Sequence, residues 1–192
     1  MMFSHLALTV VALLQGIDEP LPKRRTPVVR AVERSIPAVV SLSTKAEVQR
    51  FTLFGVQRVP VTGGGSGVVI HPQGLVLTNT HVVTDATEIT LGIGAGKDKK
   101  TYRAQVLSVD HQYDVALLQI QSEESFPHIT MGTSDDLMLG ETVLAIGNPF
   151  DQPNTVSMGI ISAIGRDVTV RDPQTGTKEL TGLIQTDAPI NP

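Results

Sequence analysis

The sequence lacks several residue types that would indicate particular kinds of site. None of its 192 residues is cysteine, which excludes disulfide bonds, thiolate zinc sites and cysteine nucleophiles but leaves the compartment open. Aromatic residues make up only 4% of the chain, so the core has to be built from valine, isoleucine, leucine and alanine. The formal charge of −4 offers no basic surface of the kind that binds nucleic acid, and we expect no nucleic-acid partner.

Long apolar runs are absent except at the N-terminus. Leu6 to Leu14 is continuously apolar, which matches the length of a signal-peptide core and is too short for a stable membrane span. We therefore predict a signal peptide over residues 1–16, an exported protein and no stable membrane span. A buried N-terminal segment is the alternative, because no lysine or arginine precedes the run.

The segment after the apolar run contains few periodic signals. Prolines, charges and a stretch of helical spacing predict a linker and a short helix over residues 17–36, with the helix at 28–35. The β-branched run at residues 38–42 predicts a strand. Residues 47–60 alternate poorly between apolar and polar positions, and we interpret them as an exposed loop.

From residue 63 onwards the sequence is typical of short strands joined by turns. Three glycines, Gly63 to Gly65, imply a flexible or closely approached backbone, and no Lys-Ser/Thr follows them, which excludes a phosphate-binding loop. A Pro-Gln-Gly turn predicts a hairpin over residues 66–78. Further predicted strands cover residues 89–91, 102–109, 115–120, 142–146, 155–164 and 183–186. A polar crossing is predicted at 121–127, and a polar loop that holds strand-like residues 168–170 is predicted at 166–182. This spacing indicates an all-β barrel or sandwich.

Two polar residues, His81 and Asp114, each lie where an apolar strand meets a loop. A carboxylate that accepts a hydrogen bond from one imidazole nitrogen fixes the tautomer and leaves the other nitrogen free as a base. Such a pair can activate a hydroxyl nucleophile. A lone histidine beside an apolar run is more often just a hydrogen-bonded residue at a strand end.

Six stretches extend this pair into a longer pattern. They are Gly65-Ser66-Gly67-Val68-Val69-Ile70, Leu77-Thr78-Asn79-Thr80-His81-Val82-Val83, Asp114-Val115-Ala116-Leu117-Leu118, and residues 140–150, 155–163 and 184–192. In order and spacing, from about residue 27 to the last residue, the chain resembles the HtrA/Deg family of trypsin-fold serine endopeptidases.

The resemblance implies a chymotrypsin-like double β-barrel with the active site between the barrels. The first barrel would be complete over residues 37–124 and the second incomplete over residues 125–192. His81 maps to the general base and Asp114 to its orienting carboxylate, while Asp110 is a rival that lies four residues ahead of the apolar strand. The other histidines considered, His71, His111 and His128, have no matching role and are expected at the surface or in turns.

The resemblance also implies how such a protein works. The family uses no metal or organic cofactor, acts on unfolded or damaged polypeptides in quality control of the cell envelope, and commonly assembles as trimers. We therefore expect polypeptide substrates, a homo-oligomer and an exported protein of the periplasm or cell envelope.

The nucleophile departs from the family pattern. In the family, Asn-Pro is followed directly by Gly-Asn-Ser-Gly-Gly, whereas this sequence ends at Pro192. The serines considered all lie at non-matching positions: Ser41, Ser43, Ser66, Ser108, Ser122, Ser125, Ser134, Ser157 and Ser162. We expect the 192-residue polypeptide to be inactive alone. The alternatives are a non-catalytic peptide-binding or oligomer-assembly module derived from such a protease, and a β-barrel interaction domain unrelated to proteolysis.

Overall fold

The structure is a computed structural model that describes residues 24–52, 55–94, 96–148, 154–172 and 176–190. The predicted signal peptide and the first part of the predicted linker lie outside the described residues. Helix α1 covers Pro27–Ser35, close to the predicted bounds, and a short 3₁₀ turn follows at Ile36–Ala38. Proline suits the first helical position because the backbone N–H at that position has no partner within the helix, so its absence in proline costs no hydrogen bond. No helix among the described residues has the length and apolar character needed to cross a bilayer.

A closed barrel of six antiparallel strands forms the first half of the architecture. The strands are β1 (Val39–Thr52), β2 (Gly55–His71), β3 (Leu75–Thr78), β4 (Ala86–Ile93), β5 (Lys100–Asp110) and β6 (Val115–Ile120). Their order around the barrel is β1-β2-β3-β6-β5-β4, and pairing of β1 with β4 closes it. The one-turn helix α2 (Thr80–Val83) follows β3, and a 3₁₀ turn (Gly96–Asp98) precedes β5.

The barrel interior is almost entirely aliphatic, as the scarcity of aromatic residues predicts. Its largest fully buried side chains are Leu91, Leu118, Ile120, Val40, Val69 and Val76. Alternation along β6 explains this placement, because successive side chains of a strand point to opposite faces and every second residue of β6 is buried. Phe126, which follows the barrel in sequence, packs against this core and meets the Tyr102 ring edge-on at 5.1 Å.

Three further antiparallel strands form a second, open sheet in the order β7-β8-β9. They are β7 (Thr142–Gly147), β8 (Thr155–Asp172) and β9 (Gly176–Thr186). The sheet meets the barrel at Asn148, whose backbone N–H donates to Ser66 Oγ at 2.8 Å. The all-β prediction of one complete barrel and a partial second one is therefore confirmed.

Two predicted loops are wrong, because the structure places them in long two-stranded ribbons. Residues 47–52 pair with 55–60 as extensions of β1 and β2, and residues 166–172 pair with 176–183 in β8 and β9. The ribbons extend beyond the barrel and the sheet, so neither face is buried; Val48 is 51% exposed. The ribbons are held by backbone hydrogen bonds. Because such bonds do not depend on side-chain type, they do not require apolar and polar residues to alternate in the sequence.

The glycine-rich start of the first hairpin is a place of close backbone approach. Gly65 lies within β2, opposite Leu42 of β1. A Cβ atom added to Gly65 would lie 2.8 Å from Val82 Cγ2, and one added to Gly63 would lie 2.7 Å from Thr44 Oγ1. Of the two alternatives left open by the sequence, a flexible segment or close approach, the structure has the second.

The predicted hairpin turn is present at residues 71–74, and its last residue allows a direct test. Gly74 has a φ of +84°, and its N–H donates to the carbonyl of His71 at 2.9 Å. An added Cβ would lie 2.9 Å from Ile120 Cβ and 3.2 Å from the Phe126 ring. We expect Gly74→Ala to lower the free energy of unfolding by about 1–3 kcal/mol, measured in urea, because backbone strain and overpacking combine.

Gly165→Ala is the matched control for that substitution. Gly165 also has a positive φ, +69°, but nothing lies within 4 Å of an added Cβ. Only the backbone cost applies there, so the loss in unfolding free energy should be smaller than at Gly74. Equal losses at the two positions would show that the turn is not tightly packed.

Candidate active site

His81 lies on the short helix α2, immediately after the buried strand β3. The hydroxyl of Thr78 at the end of β3 donates to the carbonyl of Ser66 at 2.8 Å, which fixes the point where the chain leaves the barrel. Thr80 is buried, with 3% of its surface exposed, whereas the next side chain, His81, is 71% exposed. The single helical turn therefore anchors the chain at Thr80 and leaves the imidazole accessible.

Asp114 lies in the loop between β5 and β6 and has an unusual backbone conformation. Its φ is +55°, in the left-handed region that aspartate and asparagine tolerate better than other non-glycine residues. The Thr80 hydroxyl donates to the carbonyls of Asp110 and Val115, at 3.1 and 2.8 Å, and so ties both ends of this loop to α2. The bend turns the Asp114 carboxylate toward α2.

The two residues predicted from the sequence lie in direct contact. His81 Nδ1 and Asp114 Oδ2 are 2.6 Å apart, and the backbone N–H of His81 donates to the other carboxylate oxygen, Oδ1, at 2.9 Å. Because an ionised carboxylate can only accept, Nδ1 carries the proton in this contact. Among the described residues, the imidazole has no hydrogen-bond partner besides Asp114, so Nε2 is left with its lone pair accessible.

The electrostatics of Asp114 favour the charged form. Burial of the carboxyl, the largest single influence, acts to raise its pKa. Hydrogen bonds from the backbone and ring of His81, the charge of that ring and the Asn79 amide together outweigh burial, and they lower the pKa of Asp114 below its ordinary value. At neutral pH the group is therefore an ionised acceptor for the imidazole proton.

The rival carboxylate, Asp110, has a different task. Its Oδ1 atom accepts from the backbone N–H groups of Gln112 and Tyr113, at 2.8 and 3.0 Å, and so caps the turn that leads to Asp114. This is the local pattern by which aspartate side chains stabilise turns. Asp110 therefore shapes the loop, while Asp114 contacts the histidine.

The other candidate residues lie away from this pair in their contacts. His71, at the exposed end of β2, accepts from the backbone N–H of Gln73 through Nδ1 at 3.3 Å. His111 and His128 are exposed as well. Of the described serines, Ser66 accepts from Asn148 and Ser157 donates to the carbonyl of Pro189, and none is hydrogen-bonded to His81.

Sequence reasoning missed two residues that hold the pair, Asn79 and Thr80. The Asn79 amide donates to Asp114 Oδ2 at 3.2 Å and to the Asp114 carbonyl at 3.0 Å, and the Thr80 N–H donates to that carbonyl at 3.2 Å. Both stand directly before His81 within the family-like stretch, and their polarity at a strand end was the available signal. Their partner lies more than thirty residues away, so only the fold reveals the contact.

The geometry is that of an exposed imidazole held by a carboxylate at the surface of a β-barrel. The family profile described as trypsin-like peptidase domain matches residues 65–192, which include both members of the pair. The chain belongs to the trypsin-like peptidases. The chain is 40% identical over 167 residues to serine protease HTRA1 of Xenopus tropicalis, covering 83% of this chain and 32% of that protein.

Two further comparisons show similarity of the chain to HtrA proteins, one in sequence and one in structure. A probable periplasmic serine endoprotease, DegP-like, of Pseudomonas fluorescens is 41% identical over 128 residues, covering 67% of this chain and 25% of that protein. The solved structure of the HtrA-type protease AlgW with decapeptide superposes with a TM-score of 0.65 at 35% identity, covering 87% of this chain and 53% of that one. The predicted HtrA/Deg resemblance is confirmed, and the chain spans a quarter to a third of the two curated relatives.

Proposed function

We propose that residues 1–192 provide the general-base half of a serine endopeptidase site. His81 would take the proton from a serine hydroxyl through Nε2, and Asp114 would hold the ring and stabilise the imidazolium that forms. The 2.6 Å contact between His81 Nδ1 and Asp114 Oδ2 carries this proposal, because it directs the free nitrogen away from the carboxylate. The family membership supports the same reaction class.

We place the nucleophile outside residues 1–192. None of the serines in the sequence lies at a position that matches the family motif. Among the described residues, the hydrogen-bond partner of the His81 ring is Asp114 and not a serine. The backbone amides that would stabilise an oxyanion belong to the same missing motif and contribute much of the rate enhancement. The 192-residue polypeptide is therefore expected to show no serine-protease turnover.

The proposed substrates are polypeptides, in particular unfolded or damaged ones, and the proposed location is the periplasm or cell envelope. A relative whose name describes it as periplasmic and a similar protease solved with a decapeptide support these two points. Assembly into homo-oligomers, with a trimer as the form implied by the family resemblance, belongs to the same proposal.

The test of the proposed function is a casein-cleavage assay on the purified 192-residue polypeptide. We expect no cleavage, because without nucleophile and oxyanion amides only residual effects of binding remain. Cleavage that His81→Ala abolishes would contradict the placement of the nucleophile outside residues 1–192. Cleavage that His81→Ala leaves unchanged would contradict the mechanism itself.

Translation of the coding DNA past codon 192, in all three frames, separates the protease from the alternative function. A Gly-Asn-Ser-Gly-Gly motif directly after Pro192 would supply the nucleophile that His81 needs. Its absence would favour a non-catalytic peptide-binding or assembly module. The intact hydrogen bond between His81 and Asp114 favours the protease, since a binding module has no use for an oriented base.

A further inference from the structure

Asn79 makes an unusual choice of hydrogen-bond partners. It occupies the N-cap position of α2, with φ −85° and ψ 146°, where asparagine normally accepts from a backbone N–H of the first helical turn. No such capping hydrogen bond is present. The side chain instead donates through Nδ2 to Asp114, once to the carboxylate and once to the backbone carbonyl.

Asp114 performs the capping that Asn79 does not. Its Oδ1 accepts from the His81 backbone N–H at 2.9 Å, and its carbonyl accepts from the Thr80 N–H at 3.2 Å. These N–H groups are among those left without partners at the start of any helix. Because a residue from another loop satisfies them, the Asn79 amide is free to act on that residue.

We propose that Asn79 is a positioning residue for the His81–Asp114 pair. Its side chain holds the Asp114 carboxylate in the orientation that faces the imidazole. This inference rests on the proposed function of the pair as an oriented base. It adds a third contributor to the geometry, one that touches neither substrate nor nucleophile.

The chemistry of the contact explains why a neutral donor suits this position. Asp114 Oδ2 accepts from both His81 Nδ1 and Asn79 Nδ2, while Oδ1 accepts from the His81 backbone. Rotation of the carboxylate would break these contacts together, so each donor restrains it. A lysine or arginine in place of Asn79 would also restrain it, but its positive charge would disfavour the imidazolium that forms during catalysis.

A purely structural role would have Asn79 anchor the loop through the Asp114 carbonyl alone. Thr80 offers the matched control, because its hydroxyl anchors the same loop at Asp110 and Val115 without touching the carboxylate. Thr80→Val has nearly the same shape and removes only that anchor. The two roles therefore predict different behaviour of the carboxylate in the two variants.

The experiment is a pH titration of the 192-residue chain by NMR, which follows the carboxyl carbon of Asp114 and the ring of His81. Asn79→Leu is expected to shift the titration midpoint of Asp114 upward, since a donor to the charged form is lost. Asn79→Asp should shift it further, because a like charge then faces the carboxylate. Thr80→Val keeps every donor to the carboxylate, so any shift that it causes through the loop should be smaller than the shift in Asn79→Leu.

An unchanged midpoint in Asn79→Leu, or an equal shift in Thr80→Val, would overturn the inference. If Asn79→Leu does not fold, as judged by circular dichroism, Asn79→Ala, which also removes the donor, decides the outcome by the same criterion. In a form of the protein that includes the nucleophile, Asn79→Leu should lower kcat about tenfold with KM nearly unchanged.

The two proposals fail in different ways. If only the inference is wrong, His81→Ala abolishes cleavage in the active form while Asn79→Leu keeps full kcat. If the proposed function is wrong, His81→Ala itself retains cleavage, whatever the Asp114 titration shows.

Discussion

Asp114→Asn is expected to lower kcat for peptide hydrolysis by about 10⁴-fold, with little change in KM, in a form of the protein that carries the nucleophile. The substituted amide can donate to His81 Nδ1, which stabilises the tautomer with its proton on Nε2. That tautomer cannot accept a proton from a serine hydroxyl. The measurement is steady-state hydrolysis of a fluorogenic peptide, compared with the unsubstituted protein.

The backbone at this position makes the substitution specific. Asparagine tolerates a φ of +55° as well as aspartate does, so the loop should keep its conformation and the loss should be in kcat rather than in folding. Asp110→Asn is the matched control, because its side-chain oxygen can still cap Gln112 and Tyr113. Activity that survives Asp114→Asn and disappears in Asp110→Asn would reverse the roles assigned to the two aspartates.

Leu118→Ala is expected to destabilise the protein more than any surface substitution, by about 2–5 kcal/mol. Leu118 is fully buried in β6, between its partners Val76 of β3 and Val106 of β5. Truncation leaves a cavity that a closed barrel cannot collapse to fill, because each strand is hydrogen-bonded on both sides. Since domains are stable by only about 5–15 kcal/mol, the loss should be obvious in urea unfolding followed by circular dichroism.

Leu139→Ala provides the control for that core substitution. Leu139 is 69% exposed, so the same chemical change should cost no more than about 0.5 kcal/mol. Similar losses at positions 118 and 139 would argue against the barrel interior described here. A loss confined to position 118 would agree with it.

The sequence predicts strands correctly where buried and exposed side chains alternate, and it misses strands where they do not. Residues 115–120 were predicted as a strand with the same bounds as β6, because one face of that strand enters the core. Residues 47–60 are predicted as a loop, whereas residues 47–52 and 55–60 form a ribbon that backbone pairing defines and in which Val48 is 51% exposed. Propensity and alternation describe side chains, whereas a ribbon depends on hydrogen bonds that every residue type can make.

The residues of the candidate site likewise include some that the sequence predicts and some that it does not. The family resemblance assigned His81 and Asp114, and the structure brings their side chains to 2.6 Å. Asn79 and Thr80 receive no role, because their contacts depend on the pairing of β3 with β6, which brings α2 and the loop after β5 to the same end of neighbouring strands. A carboxylate that caps another segment's helix leaves no signature in the local sequence, so this arrangement could be recognised only in three dimensions.

The barrel that carries the base is closed by strands that all lie before residue 121, with β1 pairing to β4. Every residue that sets the geometry of His81, from Asn79 to Val115, belongs to that stretch. Chains are made from the N-terminus at roughly 5–20 residues per second, and domains tend to fold in that order. The His81–Asp114 pair can therefore be in place while later residues are still being added. Under the proposed function, in which the nucleophile lies outside residues 1–192, nascent chains that have completed the barrel but not yet the nucleophile are expected to show no proteolysis.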